Sequence, residues 1–372
     1  MNGVETSCDL GRGPEDVLAC ADGSVLTGLE DGRILRLSPD MSTMAEIGNT
    51  GGRPLGLEHL PDGRVLICDA TRGLLAMELE TGVVSVLVRD PPPFCNNAAV
   101  GADGTVYFSS SSRRYPIEHS TRDVVEARPT GSLWQRAPDG TCTCLLDELY
   151  FANGVVLAPD ESHVLVAETG AARVQRFWLA GPRVGEAEMF VDDLPALPDN
   201  MSIGTDGQVW VELVVPAAAS RAVWGLPYPL RWLAVRVVRN GPATLRLQAM
   251  ALDWQGNVTR QIDRADAGYH FVTVVREFVG ALYLGSIAEN RIARLELEAS
   301  HEVRHAGGRA ASDPALCCRV PAVICHAFMR AAFAHAPSHC ENGPRYSSIC
   351  RTARSRMISS DPPPIAMTFT SR

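Results

Sequence analysis

The chain has 372 residues and a net charge of −9, and every one of its 34 basic residues is Arg. Residues 299–372 carry nine Arg against four acids, so residues 1–298 hold 25 Arg against 39 Asp and Glu, a net −14. So acidic a body argues against nucleic acid and anionic membrane as partners and suits cations and small molecules.

No run reaches the roughly 18 uninterrupted apolar residues of a membrane-spanning helix. The N-terminal MNGVETSCDLGRG lacks the basic-then-apolar pattern of a signal peptide, so a cytoplasmic location is expected. The six Cys before residue 299 are irregularly spaced and read as reduced thiols. A chain 46% hydrophobic but only 6% aromatic, with 32 Gly and 25 Pro, fits many short strands joined by tight turns.

The organising feature is a repeat. Asp22-Gly23, Asp62-Gly63, Asp103-Gly104, Asp160-Glu161 and Asp206-Gly207 each separate two apolar, alternating segments, and Val279-Gly280 is a degenerate sixth turn. Such turns between alternating segments signal hairpins. The first five turns are 40, 41, 57 and 46 residues apart, with a longer interval to the sixth. Repeats of about 40–50 residues with three or four strands each predict a β-propeller. The fold class is therefore all-β, a six-bladed propeller over residues 1–298. The segment VETSCDL (4–10) is the available strand for closing the ring onto the last blade.

Seven residues before each turn lies one recurring slot: Glu15, Leu55, Asn96, Asn153, Asp199 and Val272. Radial repeats aim equivalent positions at one axis. Two carboxylates and two carboxamides should therefore converge there, an all-oxygen set that suits a hard cation, calcium above all. The bland alternative is strand-start Asn and Asp capping backbone groups.

Two long intervals contain insertions. Residues 111–130 are polar and aromatic, and residues 214–245 contain AVWGLPYPLRWLAVRVV, apolar enough for a short helix over the channel mouth. Insertions in a propeller fall on one face and often cover a site. Beyond residue 298 the alternation stops. The stretch 299–372 has five Cys and five His without zinc-site spacing and is expected to be an irregular, poorly ordered extension.

The run 151–200, with its Asn-Gly-Val after an aromatic, Ala-Glu-Thr, Arg-Phe-Trp-Leu and Leu-Pro-Asp-Asn, resembles the strictosidine synthase-like family, as do TVYFSS (105–110) and GSL (131–133). The resemblance spans about residues 12–298 and extends to the wider group of gluconolactonases, regucalcin and paraoxonases. It implies a six-bladed propeller with a cation in the channel, held by Glu15, Asn96, Asn153 and Asp199. By similarity to the paraoxonase-like members it adds Asp16 and Asn200.

The function it implies is a calcium-dependent hydrolase of lactones or esters. In that reading Asp199 or Asp16 takes a proton from water, and Asn96 and His119 contact substrate. Two alternatives stay open: an amine–aldehyde condensation, for which Glu277 is the candidate base, and a non-catalytic ligand-binding propeller. The partner expected is a small molecule; the sequence leaves the oligomeric state open.

Overall fold

The computed structural model describes residues 4–88, 92–231, 246–265 and 267–297. The expected extension from residue 299 and part of the second insertion lie outside them. Six four-stranded antiparallel sheets form the blades of a propeller, and five of them take their strands in chain order. The sixth is shared: Val272–Phe278, Ala281–Ser286 and Ala293–Glu296 are completed by Glu5–Thr6 from the N-terminus. Glu5 lies opposite Arg294 and Thr6 opposite Ala293, which closes the ring through the segment singled out above.

The Asp-Gly turns have a local cause. In five blades the Asp carboxylate accepts the backbone N–H two residues on, at Ser24, Arg64, Thr105, Ser162 and Gln208. Gly23, Gly63, Gly104 and Gly207 adopt φ of 84, 88, 85 and 78°, a region that costs glycine little; Glu161 takes 53° in the fourth blade. The sixth hairpin is shorter, with Val279 and Gly280 both left-handed.

Apolar residues of adjacent blades interdigitate to form the core. Leu26, Ile34, Leu57, Ile67 and Leu75 pack blade one on blade two, and Trp210, Leu247, Val275 and Leu284 pack blade five on blade six. The six cysteines among the described residues are unpaired. Among the same residues no helix is long and apolar enough to cross a membrane.

The inner strands carry the device that builds the channel. In blade three Cys95 pairs with Ser110 and Ala98 with Phe108, so one extra residue is inserted at Asn96-Asn97. The same shift occurs at Leu55-Gly56, Asn153-Gly154 and Asp199-Asn200, and in blade six at Thr273. A β-bulge re-aims side chains, and its recurrence in blades two to six turns these residues out of the ladder; in blade one Glu15 lies just ahead of strand Val17–Ala19, whose pairing is regular. The structure corrects one position: the bulged residue of blade six is Thr273, whereas Val272 pairs with Ser286.

Glycine follows the slot in blades two and four because the next blade crosses there. A Cβ on Gly154 would lie 2.4 Å from Met201 N and 2.7 Å from Asp199 O, both backbone atoms. Gly154→Ala is therefore expected to destabilise the protein by at least the roughly 1–3 kcal/mol typical of overpacking. Urea unfolding checks this: an unchanged midpoint would show that blades four and five are not held so closely.

Candidate functional site

The slots meet at one end of the channel. Each inner strand starts at that end and runs towards its Asp-Gly turn, and the second strand returns. The loops after second strands therefore rise on the slot face. Both insertions are such loops, between Val106–Ser110 and Gly131–Arg136 and between Val209–Pro216 and Leu247–Leu252.

Glu15, Asn96, Asn153, Asp199 and Asn200 are all buried, none more than 8% exposed. The structure brings them together in pairs. Asn200 Nδ2 donates to Glu15 Oε1 at 2.8 Å, linking blade five to blade one. Asn153 Nδ2 donates to Asp199 Oδ1 and, at 3.2 Å, to Thr169 Oγ1. Asn96 Nδ2 donates to Ser111 Oγ at 2.7 Å. Thr273 Oγ1 donates to the Glu15 carbonyl at 2.7 Å.

What these bonds leave over is informative. Glu15 Oε2, Asn96 Oδ1, Asn153 Oδ1 and Asn200 Oδ1 are buried without a hydrogen-bond partner. Buried polar atoms are almost always partnered, and four unpartnered oxygens on these residues are a donor set that a bound cation would satisfy. Among the described residues no group of three His, Cys, Asp or Glu side chains is placed to hold a metal ion by itself. The ring is instead a mixed carboxylate–carboxamide set, hard-oxygen chemistry that fits calcium.

Electrostatics point the same way. Burial, reinforced by the nearby charges of Asp199 and Asp16, pushes the Glu15 carboxyl well above its ordinary range, against the opposing effects of Arg53 and the Asn200 hydrogen bond. Burial also raises Asp199 to about 7, with the Asn153 hydrogen bond opposing.

Asp16 is placed differently. Its Oδ1 accepts Val17 N at 2.7 Å, its Oδ2 accepts Leu57 N at 2.8 Å, and Arg276 lies 3.2 Å from Oδ2. Arg276 also pairs with Glu58 at 2.6 Å. Burial alone would lower the Arg276 pKa, but the two carboxylates hold it above its ordinary value. Asp16 thus ties blades one, two and six together, and both its oxygens are engaged. His119 is exposed at the end of a 3-10 turn, its Nδ1 near the Glu118 carbonyl, with no bond to the ring. Glu277 faces away from the slot end, accepting from Thr205 Oγ1 at 2.5 Å and from Trp210 Nε1 at 3.1 Å.

The insertions form a roof. Helix Ser120–Glu126 of the first meets helix Ala217–Trp224 of the second, with Trp224 Nε1 donating to Val124 O at 2.9 Å. Arg231 Nη1 donates to Glu126 O at 3.0 Å, and Arg128 stacks 4.1 Å above the Tyr228 ring. Beneath, Leu55, Phe94 and Phe151 form an apolar cluster on which Ile117 and Val124 pack. Phe94, Phe151 and Phe271 are left-handed, at φ of 57, 55 and 51°, and each lies two residues before a bulged slot residue. Non-glycine residues rarely hold that conformation, and sequence periodicity gives no sign of it.

Comparison with known proteins agrees with this architecture. A family model for strictosidine synthase matches residues 96–182, and one for the strictosidine synthase-like N-terminal region matches residues 8–37. Protein STRICTOSIDINE SYNTHASE-LIKE 6 of Arabidopsis thaliana is 30% identical over 300 residues, covering 76% of this chain and 79% of that protein. The chain belongs to the strictosidine synthase-like family. Its fold is also that of a gluconolactonase from Xanthomonas campestris, at 15% identity and a TM-score of 0.57 over 79% of this chain and 89% of that one. A calcium-binding protein from Agrobacterium tumefaciens, regucalcin, gives 14% identity and a TM-score of 0.55 over 80% and 97%.

A buried acid with a raised pKa binds its proton more tightly in the folded state than in the unfolded one. Stability then falls as pH rises from the unfolded value of about 4 towards the folded one. For Asp199 that upper limit is about 7. Chelator-treated protein should therefore lose melting temperature between about pH 4 and pH 7. Asp199→Asn should flatten the profile and raise stability at the alkaline end. A wild-type profile that rises over this window would contradict the uncompensated charge.

Proposed function

We propose that the protein is a calcium-dependent hydrolase of lactones or esters, with its reaction centre at the slot end of the channel. The observation that carries the reading is the set of four buried, unpartnered oxygens on Glu15, Asn96, Asn153 and Asn200. With Asp199 they would hold the cation, and calcium's preference for six to eight oxygens leaves positions for water and substrate. When bound, the ion supplies Lewis-acid polarisation of a carbonyl group.

The chain's own residues supply the rest. The Asp199 carboxylate accepts a proton from the attacking water as the hydroxide oxygen bonds to the carbonyl carbon. It returns that proton to the departing alkoxide, so the step balances without a co-reactant. Asp16 does not take this part, because its oxygens are engaged by Val17, Leu57 and Arg276. Leu55, Phe94 and Phe151 offer an apolar wall for the acyl or alcohol portion. The position of Glu277, bonded to Thr205 and Trp210, supports hydrolysis over an amine–aldehyde condensation that needs a free glutamate base in the channel.

The test is hydrolysis of a panel of lactones and aryl esters by purified protein with calcium, with chelator, and as Asp199→Asn. The expected result is turnover that chelator abolishes and that the substitution lowers by about 10²-fold or more, the scale of a positioned general base. Turnover indifferent to both treatments would sink the reading. So would the absence of turnover in calcium-loaded protein, which would leave a ligand-binding propeller.

A further inference from the structure

A carboxamide can present either its oxygen or its NH2 to a cation, and only the oxygen coordinates. Asn96 and Asn153 therefore need something to fix their orientation. In each case a hydroxyl does so. Asn96 Nδ2 donates to Ser111 Oγ at 2.7 Å, and Ser111 Oγ donates onward to the Ala152 carbonyl at 2.7 Å. Asn153 Nδ2 donates to Thr169 Oγ1 at 3.2 Å, and Thr169 Oγ1 donates to the Pro198 carbonyl at 2.7 Å. Ala152 and Pro198 each immediately precede the slot of the next blade, so the two relays run around the ring from blade three to blade five.

The hydroxyls are fully committed. Ser111 is 0% exposed and Thr169 is 5%. Each proton is held by a carbonyl, so the oxygen is left as an acceptor and only an NH2 satisfies it. The carboxamide oxygens then turn inward, and Asn96 Oδ1 and Asn153 Oδ1 are two of the unpartnered atoms.

The pattern across blades supports an orienting role over a merely structural one. Ser111 and Thr169 each follow the residue paired with the one before the slot, Ser110 opposite Cys95 and Glu168 opposite Ala152. By the same count blade two has Ala70, after Asp69 opposite Pro54, and blade five has Val214, after Leu213 opposite Pro198. The slots of those blades are Leu55 and Asp199. A hydroxyl thus accompanies the slot where it is Asn and is missing where it is Leu or a carboxylate, whose two oxygens need no such choice.

We propose that Ser111 and Thr169 are positioning residues of the cation site, holding the Asn96 and Asn153 carboxamides oxygen-inward. This rests on the cation reading given above. Loss of such supporting groups elsewhere lowers metal affinity by about 10- to 100-fold.

The experiment is calcium titration calorimetry of the full chain as wild type, Ser111→Ala, Ser111→Thr and Thr169→Val, with chelated melting temperatures alongside. Ser111→Ala and Thr169→Val are each expected to weaken calcium by about 10- to 100-fold, and Ser111→Thr to retain most of the affinity. A second cycle separates orientation from packing: in an Asn96→Asp background, Ser111→Ala should cost less than about 3-fold, because the carboxylate has an oxygen to present either way. Equal losses in both backgrounds, or unchanged affinity in both single variants, would overturn the proposal. Failure of the wild type itself to bind calcium would overturn the cation reading beneath it, and the two failures differ in which protein shows them.

Discussion

Everything at the slot end depends on a charge that the protein does not neutralise by itself. Glu15 and Asp199 are taken out of water close enough for the charge of one to raise the pKa of the other. Arg53 opposes part of that charge, while Arg276 is spent on Asp16 and Glu58. Leaving a buried carboxylate unpaired costs several kcal/mol, on the order of half a domain's net stability. A dication in the ring would remove that penalty and be met by the carboxamide oxygens.

The bulges explain how a propeller reaches this arrangement. Radial strands normally face their neighbouring blades on both sides, so few side chains look down the axis. One extra residue in the inner strands of blades two to six breaks that alternation at the slot, and in blade one Glu15 sits just before its strand begins. Glycine after the slot in blades two and four then lets the following blade approach within contact of its backbone. The insertions rise from the same face because second strands end there, so roof and ring are consequences of one topology.

Much of this was legible in the sequence because five blades keep the same spacing from slot to Asp turn, even though the fourth hairpin is one residue longer beyond the turn. Counting back seven from each Asp-turn reaches Glu15, Asn96, Asn153 and Asp199 directly, and the turn chemistry itself follows from Asp and Gly preferences. The sixth blade failed that count because its hairpin is short, which displaced the bulge from Val272 to Thr273. Asp16 was expected beside the cation and as a candidate base, yet a backbone N–H from the neighbouring blade and a distant arginine claim it. No local signal announces a partner 260 residues away. His119 was singled out as a histidine within the first insertion; there it is exposed, with Nδ1 near the Glu118 carbonyl. The hydroxyls Ser111 and Thr169 were missed, although each follows its asparagine by 15 or 16 residues and a search at that spacing would have found them.

The most direct measurement is an anomalous difference map from crystals grown with calcium or soaked in a lanthanide. The account predicts a single strong peak on the channel axis, at about 2.3–2.6 Å from oxygens of Glu15, Asn96, Asn153, Asp199 and Asn200. A ring that holds only water, or whose carboxamides turn their NH2 groups inward, would contradict it.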